Sequence, residues 1–196
     1  MQIKRFRPQI SMLYTSTDTI FALSSGAMVK SGVAVVRISG DNSQSCLRRL
    51  LQNPKAKDKE IKMPDPRFAS LRKLYCPHSG EVLDQALVLW FPGPRSFTGE
   101  DVVELHLHGS RAVISGVLDA FRYLDDEYKI NRNSLSTGSD QVIGEYFPTA
   151  NIRPAEAGEF TRRAFDNGRM DLTEVEGLAD LLAAETTSQR NQVFMK

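Results

Sequence analysis

The chain comprises 196 residues, of which 41% are hydrophobic and 25% charged, and its formal net charge is +1. These values are typical of one globular domain of moderate size, or of one domain with an appendage. The balanced charge excludes a strongly basic nucleic-acid-binding protein, although it allows local basic patches. No apolar run in the sequence approaches the length of a membrane-spanning helix.

The first 17 residues form a basic segment. They contain Lys4, Arg5 and Arg7, several Ser and Thr residues and no acidic residue. Such a composition is typical of an organelle transit peptide, and a frayed basic terminus is the alternative. We therefore predict a basic leader or transit-like segment over residues 1–17.

Two apolar segments predict the first strands of a sheet. Residues 18–24 (DTIFALS) and 33–38 (VAVVRI) have strand-like composition, and each is followed by a Ser-Gly turn signal. Arg37 is the single charge in the second segment. Because a buried guanidinium is costly unless it is paired, Arg37 either emerges into a binding cleft or forms an ion pair with a neighbouring carboxylate.

A short helix and a long connector follow. Leu47, Leu50 and Leu51 share one face of a helix predicted over residues 44–51. Residues 52–73 are rich in Lys, Pro and Asp, and their basic residues outnumber the acidic ones. We interpret them as a connector that is either a solvated loop or a segment in contact with a phosphate backbone.

Residues 86–109 form the centre of the predicted sheet. Two apolar runs, residues 86–91 and 102–107, predict strands joined by a Pro- and Gly-rich connection that cannot continue a strand. Side chains alternate along a strand. The second run therefore has an apolar face toward the core and a polar face toward a cleft or toward water.

Glu104, His106 and His108 share that polar face. At about 3.3 Å per residue the two imidazoles lie roughly 6.6 Å apart, which suits two ligands of one ion. A metal-dependent hydrolase centred on these three residues is therefore an alternative, less favoured than a face without a metal.

The second half of the chain predicts helices separated by a polar insertion. Apolar residues at helical spacing predict a helix over residues 110–124, packed on the sheet. Residues 125–150 are polar and are predicted to form a mobile, linker-like insertion. A short helix is predicted over residues 159–167, ended by Gly168. Its inward-facing residues are predicted to be Phe160, Ala164 and Phe165.

The last predicted helix begins at a capping box formed by Thr173 and Glu176. The residues of its apolar face are Val175, Leu178 and Leu182. Because no stop signal follows, we expect this helix to run to Lys196 and to be the start of a helical domain over residues 169–196.

Arg37, Glu104 and Arg169 are the candidate binding residues. A carboxylate accepts two N–H bonds from an aminopyrimidine-type edge, and arginines hold ligand carboxylates in bidentate fashion. The three side chains therefore suit a flat, anionic ligand rich in hydrogen-bonding groups. The sequence has no GxxxxGK[ST] phosphate-binding loop and no motif for nucleophilic catalysis, so no catalytic residue and no metal ligand is assigned.

Several long motifs carry a family resemblance. VAVVRISG, FPGPRSFTGEDVVELHLHG and RPAEAGEFTRRAFDNGRMDLTEVEGLADLLAAET resemble the N-terminal region of the MnmE/TrmE tRNA modification GTPases. DTIFALSSG and LTEVEGLADLLAAET are most similar to the eukaryotic mitochondrial branch. The resemblance covers residues 18–192 except the connector near 53–66 and the insertion near 125–150.

The resemblance implies an α/β domain over residues 18–168, with a mixed sheet and flanking helices, similar to the tetrahydrofolate-binding domain of aminomethyltransferase. It implies a homodimer that binds 5-formyl- or 5,10-methylene-tetrahydrofolate, with Arg37, Glu104 and Arg169 at the family's folate contacts. A purely structural dimerisation module without folate is the alternative. The sequence departs from the family at residues 27–30, which interrupt a glycine-rich loop, and at Ser110, which replaces a glycine.

The resemblance also implies a role for the whole protein. With an FAD-dependent MnmG-type partner, members of the family modify C5 of the wobble uridine of certain tRNAs, using a one-carbon unit from folate. The mitochondrial branch implies location in the matrix. GTP, Mg²⁺ and K⁺ belong to the family's GTPase domain, which this sequence does not contain.

Overall fold

A computed structural model describes residues 18–25, 31–56, 61–135 and 151–193. The leader predicted over residues 1–17 and the departure at residues 27–30 lie outside the described residues, as does the 136–150 part of the predicted insertion.

The described residues form one mixed sheet of six strands. The strands are β1 (Thr19–Leu23), β2 (Ser31–Ser39), β3 (Ser70–Tyr75), β4 (Val82–Phe91), β5 (Val102–Gly109) and β6 (Ile152–Pro154). Their order across the sheet is β3-β4-β5-β2-β1-β6. Neighbouring strands are antiparallel except β1 and β6, which are parallel. The predicted mixed α/β fold is confirmed.

Five helices accompany the sheet in the described part of the chain. They are α1 (Ser43–Leu51), α2 (Arg111–Leu135), α3 (Glu159–Asp166), α4 (Leu172–Ala183) and α5 (Thr187–Val193). Helices α1 and α2 cover one face of the sheet, because their apolar sides join the same buried cluster as the strands. Among the described residues, no helix combines the length and apolar character that crossing a bilayer requires.

The core lies between this face of the sheet and the two helices. Alternate residues of β2 and β5 are buried there, among them Val36, Ile38 and Leu105. Phe21 of β1 contacts Phe121 of α2, with ring centroids 4.9 Å apart. Full burial of such a side chain contributes about 1.5–3 kcal/mol. Because side chains alternate along a strand, burial of these β2 and β5 residues in the core places the residues between them on the opposite face of the sheet.

The opposite face of the sheet is more open and carries the candidate site. Val35 and Arg37 of β2 lie beside His106 and Glu104 of β5, and none of the four residues is fully buried. Leu87 of β4 continues the row of Val35 and His106. The polar face of β5 that the alternation predicts is confirmed.

The connector and the insertion are shorter than the sequence indicates. The predicted connector over residues 52–73 ends in a strand, since β3 begins at Ser70. The sequence did not predict β3 because its charged residues resemble those of a loop, whereas an edge strand can carry charged side chains on its solvated side. Helix α2 runs to Leu135, beyond its predicted end, so residues 125–135 are helical. An i,i+4 ion pair within this stretch supports the helix.

The last predicted helix is divided in two, so the prediction of one continuous helix is wrong. Helix α4 ends at Ala183 and α5 begins at Thr187. The Gln189 backbone N–H donates to Thr186 Oγ1, and the Gln189 side-chain oxygen accepts from the Thr186 N–H. This reciprocal pair is a capping box, which starts a new helix at this point.

The capping box predicted for α4 at Thr173 and Glu176 is wrong as well. The Asp171 carboxylate accepts from the Glu174 N–H, and the Glu174 carboxylate accepts from the Asp171 N–H, both at 2.8 Å. The helix therefore begins one residue before Thr173, at Leu172.

Two apolar residues predicted to face inward are exposed. Phe165 of α3 and Leu182 of α4 keep 46% and 79% of their surface accessible. Ala164 is buried and Phe160 half-buried, as predicted for the inner side of α3.

Candidate functional site

Arg37 on β2 and Glu104 on β5 are direct cross-strand neighbours. The guanidinium donates to Glu104 Oε1 from Nε at 3.0 Å and from Nη2 at 2.7 Å. The second oxygen, Oε2, lies 3.4 Å from His106 Nε2 and retains acceptor capacity, because a carboxylate has about four lone-pair sites. Arg37 and Glu104 keep 25% and 19% of their side-chain surface exposed. Of the two roles predicted for Arg37, the ion pair is observed, and the pair remains accessible.

Two phenylalanines flank this ion pair. Arg37 Cζ lies 5.2 Å from the Phe97 ring centroid and 5.7 Å from that of Phe160, within the range of a cation–π interaction. Phe97 comes from the loop over residues 92–101, and Phe160 from the first turn of α3. Phe97 is 39% exposed. The rings border the ion pair with flat apolar surfaces on which a planar ligand can pack.

Arg169 contacts the same loop from the end of α3. Its Nε donates to the carbonyl of Ser96 at 3.1 Å, one residue before Phe97. Gly99 turns the loop beside it with a φ of +81°, and a Cβ there would lie 2.9 Å from Asn167 Cβ and 3.1 Å from Arg169 Cγ. The structure thus joins Arg169 to the site through the loop, whereas Arg37 and Glu104 contact each other.

A buried polar network fixes that loop to the sheet and to α3. Ser39 Oγ lies 2.6 Å from Thr98 Oγ1 and donates to Glu100 Oε2 at 2.7 Å. Arg163 Nη1 donates to both carboxylate oxygens of Glu100 at 3.1 Å. Because the loop and the helix each carry one of the two phenylalanines, the network also positions both rings.

Glu159 anchors the other end of this network. Arg153 donates to its two oxygens at 2.9 and 2.7 Å, Arg163 donates at 3.2 Å, and the Glu156 backbone N–H donates at 2.8 Å. Burial alone would raise the pKa of Glu159, but the hydrogen bonds from Arg153 and Glu156 outweigh it and lower the pKa to about 2. The hydrogen bond to Glu159 in turn raises the pKa of Arg153. Glu159 is therefore a charged structural anchor near neutral pH.

The three potential metal ligands on β5 take part in two separate contacts. His106 lies beside Glu104, whereas His108 Nδ1 is 2.7 Å from Asp84 Oδ1 and the His108 N–H donates to Asp84 Oδ2 at 2.8 Å. Within the described ranges, no group of three His, Cys, Asp or Glu side chains is arranged to hold a metal ion. Glu104, His106 and His108 are not brought together around a common point.

Sequence reasoning missed the aromatic rings and the network. Phe97 lies in a stretch of Ser, Thr and Gly residues that predicts only a turn. The i,i+4 spacing of Glu159 and Arg163 on the predicted short helix was the available signal for a buried ion pair.

Comparison with known proteins identifies the family of this chain. A family model described as "GTP-binding protein TrmE N-terminus" matches residues 19–169. The chain belongs to this family. The part that matches the TrmE N-terminus contains Arg37, Glu104 and Arg169, together with both phenylalanines and the polar network.

Curated relatives of this TrmE N-terminal chain include mitochondrial and bacterial proteins. The chain is 53% identical over 179 residues to the human 5-taurinomethyluridine-[tRNA] synthase subunit GTPB3, mitochondrial, covering 91% of this chain and 30% of the relative. It is 51% identical to the Danio rerio protein of the same name, with 90% and 28% covered. It is 49% identical to the tRNA modification GTPase MnmE of Methylobacterium sp. (strain 4-46), with 91% and 33% covered. The chain thus spans about a third of the length of these relatives.

Proposed function

We propose that this chain is the folate-binding N-terminal portion of a tRNA modification GTPase. The Arg37–Glu104 ion pair between Phe97 and Phe160 is the observation that carries the proposal. A reduced pterin is flat and presents an aminopyrimidine edge. Glu104 Oε2 would accept hydrogen bonds from that edge while Arg37 holds Oε1, and the phenylalanine rings would contact the pterin.

Arg169 completes the proposed site at its anionic end. Arg169 is exposed, and its Nε donates to the Ser96 carbonyl. The remaining N–H groups of the guanidinium can therefore donate hydrogen bonds to a carbonyl or carboxylate of the ligand. The ligand is 5-formyl- or 5,10-methylene-tetrahydrofolate. In this proposal the domain over residues 18–168 is similar to the tetrahydrofolate-binding domain of aminomethyltransferase, and a helical domain starts at residue 169.

The names of the relatives support a role for the whole protein in tRNA modification. We infer that it acts on C5 of the wobble uridine with an FAD-dependent MnmG-type partner, and that folate supplies the one-carbon unit. GTP hydrolysis, with Mg²⁺ and K⁺, would belong to a GTPase domain outside this sequence. The mitochondrial relatives support a location in the mitochondrial matrix.

We also propose that the chain forms a homodimer through the open face of the sheet. Leu87, His106 and Val35 form a row across three strands there, and Leu87 keeps 38% of its surface exposed. Leu87 and Val35 are apolar side chains on an open sheet face, on either side of His106, and such exposed apolar area is suited to packing against a second copy.

Isothermal titration of the chain with 5-formyl-tetrahydrofolate tests the function. Saturable binding of one ligand per chain is the expected result. A chain that gives no binding heat at millimolar ligand, yet remains dimeric, is instead the structural dimerisation module that the sequence leaves as the alternative.

A further inference from the structure

Loop 92–101 has a second basic border, on the side of β3. The Arg67 backbone N–H donates to the carbonyl of Trp90 at 2.7 Å. Its Nη2 donates to the carbonyls of Pro92 at 3.2 Å and Arg95 at 2.7 Å. Arg67 is thus fixed beside the loop that carries Phe97, and backbone carbonyls hold its guanidinium.

Among the described residues, no carboxylate neutralises the positive charge on this border. Arg67 and Arg95 at the loop, and Lys73 farther along β3 opposite Gln85, are exposed, and within the described ranges none of them is ion-paired, unlike Arg37, which pairs with a carboxylate. Residues 61–75 contain four basic residues and one acidic residue, Asp65. Hydrogen bonds to neutral carbonyls leave the full charge of Arg67 available to an anion.

An exposed aromatic ring lies next to Arg67. Phe68 follows Arg67 directly and keeps 72% of its surface exposed. Cations next to an exposed aromatic ring are the combination that single-stranded nucleic acids use, because phosphates pair with the cations and a base stacks on the ring. We call Arg67, Phe68, Lys73 and Arg95 the basic edge.

We infer that the basic edge binds single-stranded RNA, with phosphates on its three cations and a base stacked on Phe68. The inference rests on the proposed function, since the RNA would be the tRNA that receives the one-carbon unit. Loop 92–101 connects the two regions, because Arg95 contacts Arg67 and Phe97 contacts Arg37. An RNA loop on the basic edge therefore lies next to the proposed folate site.

Two simpler roles compete with RNA binding at the basic edge. Lysines on an edge strand prevent sheets from pairing, which accounts for Lys73 but not for Arg67 and Arg95, which lie outside strands. The tail of a folate would place its carboxylates on the cations and its p-aminobenzoyl ring on Phe68, so loss of folate affinity in the Lys73/Arg95 variant is the result that would reveal this role.

The test is binding of a fluorescein-labelled RNA hairpin with a single-stranded, uridine-containing loop, measured by anisotropy over a range of salt concentrations. The test variants are the Lys73→Gln/Arg95→Gln double variant and Phe68→Ala. The matched control is the Arg122→Gln/Lys129→Gln double variant, which removes two exposed cations from α2. Circular dichroism verifies that every variant is folded, and each is also titrated with 5-formyl-tetrahydrofolate.

We expect the Lys73/Arg95 variant to bind the hairpin more weakly. Its slope of log K against log salt should be reduced by about 1.4, or about 0.7 for each phosphate that is no longer neutralised. Phe68→Ala should weaken binding at least about fivefold. The α2 control should bind as the unmodified chain does, and folate affinity should not change in any variant.

The inference is overturned if the unmodified chain does not bind the hairpin, or if the α2 control loses as much affinity as the test variants. It is also overturned if the Lys73/Arg95 variant loses folate affinity, since the basic edge would then serve the folate tail. RNA binding without any folate binding would contradict the proposed function and leave this inference standing.

Discussion

Arg163 on α3 and Glu100 in the loop before β5 form a buried ion pair in which Nη1 lies 3.1 Å from each carboxylate oxygen. Their side chains keep only 5% and 17% of their surface exposed. The pair joins the helix that carries Phe160 to the loop that carries Phe97. The geometry around Arg37 therefore depends on two residues outside the Arg37–Glu104 ion pair.

Glu100→Gln should destabilise the chain by about 3 kcal/mol, because it leaves the buried Arg163 guanidinium with less compensating charge. Urea-induced unfolding measures the loss. Asp119→Asn is the matched control, because its ion pair with Arg122 lies on the solvent side of α2, with both side chains 60% exposed. This control should cost about 1 kcal/mol or less. Equal losses in the two variants would contradict the special role of Glu100.

The low pKa of Glu159 predicts a specific acid dependence of stability. The pKa is about 2 in the folded chain against an ordinary value of 4.5. A carboxyl whose folded pKa is lowered stabilises the protein above its unfolded pKa, and this contribution is lost as the pH falls from about 4.5 to about 2. The free energy of unfolding should fall by about 3 kcal/mol over this interval.

Urea-induced unfolding at a series of pH values measures this dependence. Glu159→Gln should be less stable at neutral pH and should lack this part of the acid dependence. Glu156→Gln is the control, since the Glu156 side chain is 70% exposed. An unchanged acid dependence in Glu159→Gln would show that other carboxylates are responsible.

The capping box of α4 gives a local prediction. Asp171→Ala removes the acceptor for the Glu174 N–H and should cost about 1 kcal/mol of helix stability. Hydrogen exchange within Leu172–Ala183 should accelerate about fivefold as a result. Thr173→Ala, at the position that the sequence predicts as the cap, should exchange as the unmodified chain does. The reverse outcome would favour the sequence-based assignment.

The two candidate capping positions illustrate why some features could be predicted and others could not. Asp171 and Thr173 both have suitable side chains, each with a glutamate three residues later. Which of the two residues caps the helix depends on the path of the backbone after Gly168. The periodicity of the apolar residues does not reveal that path. The Thr186–Gln189 capping box also has the sequence signature of a helix start, and the prediction of one continuous helix to Lys196 overlooked it.

The same distinction holds for the site. Alternation along β5 predicts the orientation of Glu104, because strand geometry is local. Its contact with Arg37 depends on β2 pairing with β5, which joins residues 67 positions apart in the sequence. Phe97 and Phe160 reach the ion pair from a loop and a short helix, whose placement depends on tertiary packing. The sequence could therefore supply the charged residues but not the rings around them.

The proposed dimer interface is tested by Leu87→Asp. A carboxylate at position 87 would be buried on association, with only the His106 imidazole, already in contact with Glu104, opposite it, which is costly. Light scattering coupled to size-exclusion chromatography should show a monomer. Val82→Asp, at a 57% exposed position of the same strand, should remain a dimer. A dimeric Leu87→Asp variant would place the interface elsewhere.

Whether the Arg37–Glu104 ion pair binds the pterin is decided by the affinity of Glu104→Gln for 5-formyl-tetrahydrofolate, measured by isothermal titration beside Glu127→Gln. Loss of a charged acceptor for the pterin edge should weaken binding at least about tenfold, while Glu127→Gln should bind as the unmodified chain does. If Glu104→Gln binds the folate as tightly as Glu127→Gln, the Arg37–Glu104 ion pair is not the pterin site.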